Sequence, residues 1–141
     1  MLNVIRLIRN LHSDTVIIVD DYKNYYIYDN DVFVVYYLLN FSIKKYNGNM
    51  FIRNDLNYLH YLISKLRENN INYIVVVKRC GYNVEQQVSF DNNNYKTFWL
   101  KGRLYHKRRK VINDIVSKLK IDVFKNRDKI SLIRKMIDEI L

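Results

Sequence analysis

The sequence has no proline, three glycines and one cysteine among its 141 residues. Without proline, the ends of helices must be set by asparagine and glycine, which favour caps and turns. A single thiol, Cys80, cannot form an internal disulfide, and this fits the reducing cytosol. We therefore predict a cytoplasmic location, and we expect Cys80, which follows an apolar run, to be a small core residue.

Patterns typical of membrane segments and of catalysis are also lacking. No apolar run approaches the ~18 residues that a membrane span needs, and the N-terminal arginines interrupt the apolar pattern in a way that signal peptides avoid. The sequence has no Cys/His cluster of metal-ligand spacing, no G-x-x-x-x-G-K-[ST] loop and no G-x-G-x-x-G. Asp20 and Asp21 are typical of turn residues rather than metal ligands, because no Glu-x-Lys follows them on a neighbouring strand. We predict a protein that is not an enzyme and holds no metal or cofactor.

Basic charge is the strongest compositional signal. Twenty-four lysines and arginines against 14 aspartates and glutamates give a formal net charge of +10, and the pI is about 9.6. A small domain of this charge attracts polyanions, of which nucleic acid is the commonest. An AT-rich genome is the alternative explanation, since its codons favour lysine, asparagine, isoleucine and tyrosine. Membrane-surface binding is disfavoured, because no helix combines a wholly basic face with Trp or Phe opposite.

Hydrophobic periodicity and turn chemistry predict an alternation of helices and strands. The predicted elements are, in order, a helix at 2–12, strands at 16–19 and 24–28, a helix at 31–40, strands at 42–46 and 50–53, a helix at 55–68, strands at 72–78 and 84–90, and helices at 95–120 and 128–141, with a break around 121–127. Asn47-Gly48 is the best hairpin signal, and Asn54 is expected to cap the following helix. The apolar face expected for the helix at 31–40 consists of Phe33, Val34, Tyr37 and Leu38.

This order predicts an α/β fold: a mixed β-sheet flanked by helices, with a C-terminal helical extension. We expect an α/β domain over 1–92 and a basic helical extension over 93–141 packed on it.

A basic helix carries the predicted nucleic-acid site. From Asn92 to Asn113 no residue is acidic, and a helical wheel places Arg103, Lys107 and Lys110 opposite an apolar arc. The predicted phosphate contacts are Lys101, Arg103, Lys107, Arg108, Arg109 and Lys110. Phe98 and Trp99 lie among these charges, and they either stack on unpaired bases or belong to the core beneath a solvated face.

Two further surfaces are predicted. Tyr25 and Tyr26, adjacent at the start of a strand, are a candidate stacking surface. In the last helix, 3-4-3 spacing aligns isoleucines that either dock on their own domain or bind a partner subunit. These isoleucines are Ile130, Ile133, Ile137 and Ile140.

Residues 12–90 resemble the N-terminal mismatch-recognition domain of MutS-type DNA repair proteins. The similar stretches are Lys23-Asn24-Tyr25-Tyr26-Ile27, Leu38-Leu39-Asn40-Phe41-Ser42-Ile43, and Leu62-Ile63-Ser64-Lys65-Leu66 followed by the strand from Tyr73 to Val77. The resemblance implies that Tyr25 takes the place of the phenylalanine that wedges beside a mispaired base. Ile27 stands where the family has a glutamate that bonds to that base.

Small stand-alone MutS-like proteins with a basic helical tail resemble accessory proteins of diversity-generating retroelements. This resemblance implies a non-enzymatic subunit of a reverse transcriptase ribonucleoprotein, which handles template RNA or cDNA during mutagenic retrohoming. Two rival hypotheses are a protein-interaction module with an acidic partner and a free-standing sensor of mismatched or distorted DNA.

Overall fold

The computed structural model describes residues 2–122 and 129–140. The elements within these residues are α1 (Leu2–Leu11), β1 (Val16–Asp20), β2 (Asn24–Tyr28), α2 (Asp31–Leu39), β3 (Lys44–Tyr46), β4 (Asn49–Asp55), a 3₁₀ turn (Leu56–Tyr58), α3 (Leu59–Glu68), β5 (Tyr73–Lys78), β6 (Tyr82–Val88), α4 (Tyr95–Asp122) and α5 (Lys129–Ile140). The predicted order of helices and strands is confirmed over these residues. Most of the predicted break at 121–127 lies outside them.

The six described strands form one mixed sheet in the order β3-β4-β2-β1-β5-β6. β1 and β5 pair in parallel, and the other neighbouring strands pair antiparallel. The β-branched strands β1 and β5 are interior strands and are buried, because a strand covered on both faces needs apolar side chains in both directions. The α/β class with a mixed sheet is thus confirmed.

The hairpin between β3 and β4 turns at the predicted Asn-Gly pair. Asn47 has φ 49° and Gly48 has φ 78°, so both central residues occupy the left-handed region that a type I′ turn requires. Asparagine and glycine tolerate this region better than other residues, which is why this local sequence fixes the turn.

The two faces of the sheet are packed differently. α1 contributes Ile5 to a buried cluster with Ile17 and Val19 of β1 and Ile74 and Val76 of β5. On the alternate positions of β2, Tyr25 and Ile27 are fully buried, and α2 contacts β1, β2 and β4. The side chains of β2 therefore divide between a covered face and a face that α1 covers only in part.

Three local predictions are corrected. α2 buries Val32, Val34, Val35 and Tyr36, whereas Tyr37 is 39% exposed. A nearly all-apolar helix has a weak periodic signal, so its sequence did not identify the buried face. The capping residue is Asp55 rather than Asn54: it precedes the 3₁₀ turn before α3, and its carboxylate accepts a hydrogen bond from the Asn57 N–H at 2.8 Å. Cys80 is exposed, in a turn where its φ is 47°.

The chain divides into two compact units, residues 1–102 and 103–141. The division falls inside α4, whose first turns belong to the α/β unit. Tyr95 is buried there, and Gly102 lies so close to α2 that a Cβ on it would come within 2.0 Å of the Phe33 carbonyl oxygen. The second unit contains the remainder of α4 and α5.

Candidate nucleic-acid interface

Five of the six predicted phosphate contacts lie together on α4 in the second unit. We call Arg103, Lys107, Arg108, Arg109 and Lys110 the basic segment, and all five side chains are exposed. Lys107, Arg108 and Lys110 form no ion pair with a carboxylate of residues 2–122 or 129–140. Their charge is therefore directed to solvent, where an anionic ligand can reach it.

One member of the basic segment contacts an aromatic ring on its own helix. The Arg109 guanidinium donates a hydrogen bond to the Tyr105 hydroxyl at 3.2 Å, and it lies 5.7 Å from the centre of the Tyr105 ring. Residues four apart face the same side of a helix, which is why this pair meets. A guanidinium has five N–H donors, and the bond to Tyr105 uses one of them.

The apolar arc predicted for this helix is incompletely covered. Ile112, Ile115, Val116 and Leu119 are half-buried, and Val111 is 43% exposed.

The sixth predicted contact, Lys101, lies in the first unit and has aromatic neighbours. Its Nζ is 5.4 Å from the ring centre of Phe98 and 5.9 Å from that of Tyr37. Those two rings meet edge to face at 5.7 Å. Phe98 is therefore engaged in packing between α4 and α2, and the charge of Lys101 remains exposed above it.

The two tyrosines predicted to form a stacking surface lie on opposite faces of β2. Tyr25 is 0% exposed. Burial raises the pKa of its hydroxyl, and the smaller effect of the Asn54 hydrogen bond is to lower that pKa. Tyr25 is thus a core residue that cannot stack on a base in this structure. Tyr26 lies on the partly covered face and stacks on Tyr28, with ring centres 5.9 Å apart and planes 4° from parallel.

A shallow groove adjoins Tyr26 and Tyr28. It has a volume of about 200 Å³ and is lined by Tyr26, Tyr28, Tyr46, Asn49 and Phe51. We call it the aromatic groove. Its aromatic side chains come from β2, β3 and β4, three neighbouring strands.

A buried charge network connects three helices to β1, and no pattern in the sequence predicts it. The Asp31 side chain, at the start of α2, is fully buried. Arg9 donates to both of its oxygens, one bond measuring 2.9 Å. The Ile17 N–H donates at 2.9 Å and the Tyr95 hydroxyl donates as well. Four donors surround one carboxylate, which is how a buried charge is tolerated.

Burial is the largest cause of the raised pKa values of Asp31 and Tyr95. It raises the pKa of Asp31, while the hydrogen bond and charge of Arg9 act in the opposite direction. Burial and then the Asp31 charge raise the pKa of Tyr95, so the phenol stays protonated and donates. One sequence signal does point to Arg9: it is four residues after Ile5 and therefore lies on the apolar side of α1.

A cleft of about 420 Å³ opens beside this network. It is lined by Arg9, Tyr95, Trp99 and Lys96 together with Ser13, Asp14, Asn30 and Leu100. Lys96 and Asp14 approach to 3.7 Å across it, and both are considerably exposed. Trp99 is half-buried at this cleft, so it is neither a core residue nor a fully exposed one.

The isoleucines predicted to bind a partner lie in α5. Ile137 and Ile140 are half-buried, and Met136 beside them is 48% exposed. The side chains of Ile130 and Ile133 lie outside the described part of the chain.

The carboxylates of Asp20 and Asp21 accept hydrogen bonds from the backbone of the turn between β1 and β2. The Asp20 carboxylate accepts from the Tyr22 N–H at 2.9 Å, and that of Asp21 accepts from the Asn24 N–H at 3.1 Å. In the described residues, no three side chains of the metal-binding types lie close enough together to hold an ion. Within these same residues, no helix combines the length with the apolar character that crossing a membrane requires.

Comparison with protein-family models and with curated proteins gives no match to this chain. The resemblance of residues 12–90 to the MutS mismatch-recognition domain therefore remains a prediction from the sequence.

Proposed function

We propose that this protein binds nucleic acid, without a catalytic step of its own, through the basic segment of α4. The single observation that carries the proposal is the exposure of Arg103 and Lys107–Lys110 on a stretch of chain that contains no acidic residue from 92 to 113. Charges of one sign, clustered on one helix, repel one another. A polyanion removes that repulsion and releases its own counterions when it binds.

The arrangement of the segment supports phosphate contacts. Arg103, Lys107 and Lys110 follow one another at intervals of four and three residues, so they lie along one side of the helix. Arg108 and Arg109 add planar guanidinium groups, which can donate two parallel hydrogen bonds to a phosphate. Three to five such contacts give an affinity that falls steeply with salt.

The finer proposal concerns the partner. On the strength of the sequence resemblance, the protein serves as an accessory subunit of a reverse transcriptase ribonucleoprotein in a diversity-generating retroelement. There it handles template RNA or cDNA. The exposed Met136 and the half-buried Ile137 and Ile140 of α5 are the candidate protein contact within this assembly.

A salt titration tests the nucleic-acid proposal. The affinity of the purified chain for a labelled oligonucleotide is measured by anisotropy at several salt concentrations. For three to five phosphate contacts, log K against log[salt] should have a slope of about −2 to −3.5 on a single strand. An affinity that is independent of salt would contradict phosphate binding.

A pair of charge reversals locates the contacts. Lys107→Glu/Lys110→Glu should weaken binding at least about tenfold and flatten the salt slope by about 1.4, since two contacts are lost. The matched control is Arg6→Glu/Lys118→Glu, which makes the same change in net charge at two exposed sites outside the segment. Equal losses in the two double variants would mean that net charge, and not the basic segment, attracts the ligand.

The proposed partner is tested by co-purification. The chain is expressed with the reverse transcriptase and template RNA of a diversity-generating retroelement, and Met136→Asp/Ile140→Asp is compared with the unchanged chain. Loss of the enzyme from the purified complex, with oligonucleotide affinity retained, is expected. If the unchanged chain binds nucleic acid but never retains the enzyme, only the partner assignment fails.

A further inference from the structure

Strand register brings aromatic side chains together on one face of the sheet. Tyr26 and Tyr28 are two residues apart on β2 and therefore point the same way. Phe51 of β4 lies directly across from Tyr28, and Tyr46 of β3 lies across from Asn49 of β4. Side chains opposite one another in antiparallel strands share a face, so all five belong to one surface, the aromatic groove.

Exposure increases across this surface towards the β3 edge. Tyr28 packs in the cluster under α1 and is 9% exposed, Tyr26 and Phe51 pack against the rim of that cluster, and Tyr46 is 72% exposed. α1 therefore covers the side of the groove that adjoins β1, and it leaves the side at β3 open. The outer rings are held by the sheet and are open to solvent on their other side.

Basic side chains border the groove. Arg53 lies directly across from Tyr26 and Lys44 across from Phe51. Both are exposed, and neither pairs with a carboxylate of the described residues. One acid near these rings is Asp21, whose charge acts on the Tyr28 hydroxyl, and its carboxylate already accepts from backbone N–H groups of its own turn. Asp55, two residues after Arg53 on β4, likewise accepts from the Asn57 N–H.

The chemistry of the groove favours planar, anionic chains over other ligands. Its volume of about 200 Å³ is below the roughly 300–1,000 Å³ of pockets that enclose a whole small molecule. Its lining is aromatic with one amide, and it has no aliphatic side chain of the kind that a protein helix would contact. Aromatic rings beside cations are the combination by which proteins hold unpaired bases and their phosphates.

We infer that the aromatic groove is a stacking surface for unpaired bases, so that the nucleic acid bound by this protein is single-stranded where it meets the sheet. Tyr46 and Tyr26 offer ring faces, Asn49 offers an amide to a base edge, and Lys44 and Arg53 face the backbone phosphates. Bases within a duplex are already stacked and cannot reach such rings. The inference rests on the proposed function and adds to it the strandedness of the ligand.

Substitutions at the most exposed ring test the inference. The probes are a 12-nucleotide oligouridine, the corresponding oligothymidine and a 12-base-pair duplex, each labelled for anisotropy at one salt concentration. Tyr46→Ala should weaken binding of both single strands by about 5- to 100-fold, the usual effect of removing one base-stacking ring. Duplex binding should change less than twofold, because it uses phosphate contacts alone.

A second test variant and two controls accompany Tyr46→Ala. Tyr46→Phe keeps the ring and should restore single-strand affinity to within about twofold. Tyr26→Leu keeps apolar bulk against the cluster under α1 and should weaken single-strand binding without unfolding the sheet. Tyr61→Ala removes a tyrosine of α3 that is 46% exposed and should leave all three affinities unchanged.

Photo-crosslinking gives a second measurement. An oligouridine that carries 4-thiouridine should crosslink to peptides containing residues 24–28 or 44–53. Crosslinks confined to the basic segment would overturn the inference.

The outcomes separate this inference from the proposed function. If Tyr46→Ala and Tyr26→Leu bind single strands as the unchanged chain does, while Lys107→Glu/Lys110→Glu loses affinity, the groove does not stack bases and the proposed function stands. If the unchanged chain binds no nucleic acid, the proposed function fails and the inference with it. A dimer that Tyr46→Ala dissociates, with unchanged affinity for oligouridine, would show that a second copy of the chain occupies the groove.

Discussion

The Arg9–Asp31–Tyr95 network and the basic segment of α4 hold charge in opposite surroundings. Asp31 is fully buried and accepts hydrogen bonds from Arg9, Tyr95 and the Ile17 backbone. The side chains of Lys107, Arg108 and Lys110 are exposed and lack an ion-pair partner among the described residues. A buried ion pair has its partners inside the fold, so its loss should affect stability. An exposed cluster of one sign contributes little to stability, so its loss should affect binding.

The largest effect on stability is expected from the buried carboxylate. Asp31→Asn removes the charge that Arg9 faces and places an amide N–H₂ among donors, so the free energy of unfolding should fall by about 3 kcal/mol. Urea unfolding at pH 7 measures the change. Asp14→Asn is the control, because the Asp14 carboxylate forms an exposed contact with Lys96 at 3.7 Å, and its loss should cost less than about 0.5 kcal/mol. Similar losses in both variants would remove the contrast between buried and exposed charge.

The next largest effect on stability is expected at Gly102, the last residue of the first unit. Gly102→Ala places a methyl group within 2.0 Å of the Phe33 carbonyl oxygen, and a backbone atom can move aside only with its helix. The free energy of unfolding should fall by about 2–3 kcal/mol. Ser117→Ala, at an exposed position of the same helix, should change it by less than about 0.5 kcal/mol. An unchanged Gly102→Ala variant would mean that α4 does not pack closely on α2.

A smaller effect, and one that depends on pH, is expected from the phenol of the network. Tyr95→Phe leaves Asp31 with one donor fewer and should cost about 1–2 kcal/mol at pH 7. The folded protein keeps the phenolic proton, since the pKa of Tyr95 is raised, whereas the unfolded chain loses it above about pH 10. The unfolded state then binds fewer protons, so stability falls as the pH rises.

Between pH 10 and 11, the free energy of unfolding should therefore fall less steeply in Tyr95→Phe than in the unchanged chain. The two slopes should differ by at most about 1.4 kcal/mol per pH unit. Urea unfolding at pH 7, 10 and 11 measures both effects. Tyr61→Phe, on an exposed tyrosine of α3, should show neither. Parallel pH profiles for Tyr95→Phe and the unchanged chain would contradict the assignment of a protected phenol.

The smallest effect is expected from the basic segment. Lys107→Gln/Lys110→Gln removes a like-charge pair three residues apart, so stability should change by no more than about 0.5 kcal/mol, with a slight gain at low salt. The same variant should lose affinity for oligonucleotides. Thermal unfolding at 20 and 200 mM salt, beside an anisotropy titration, measures the two responses. A fall of more than about 1 kcal/mol in the free energy of unfolding would mean that these lysines stabilise the fold, which contradicts the prediction.

The sequence predicts features of this molecule that depend on neighbouring residues. Asn47-Gly48 determines its own turn, and the β-branched run from Tyr73 indicates a buried strand. The Asp31 network was missed because its members lie far apart in the chain, and only packing brings Arg9, Asp31 and Tyr95 together. The exposure of Cys80 was missed for a local reason: the residue follows an apolar strand, but it lies in the turn between β5 and β6 and not in the strand itself.

The prediction that Tyr25 and Tyr26 form one stacking surface was wrong, and the strand pattern of the sequence already shows why. Neighbouring residues of a strand point to opposite faces, so Tyr25 and Tyr26 never formed one surface. Tyr25 shares its face with Ile27, the more apolar pair, whereas Tyr26 shares its face with Tyr28. The more apolar face of β2 is the covered one, and the other carries the aromatic groove.

The parallel pairing of β1 with β5 also affects how the chain is synthesised. The partners of Val16–Asp20 in this pair are Tyr73 and the four residues after it, which leave the ribosome only after β2, α2, β3, β4 and α3. Until then, one side of an apolar strand has no backbone partner, although its hairpin with β2 can already close. Pairing of strands that lie so far apart in the sequence is also slow compared with hairpin formation. A nascent chain arrested before Tyr73 should therefore be prone to aggregation through β1.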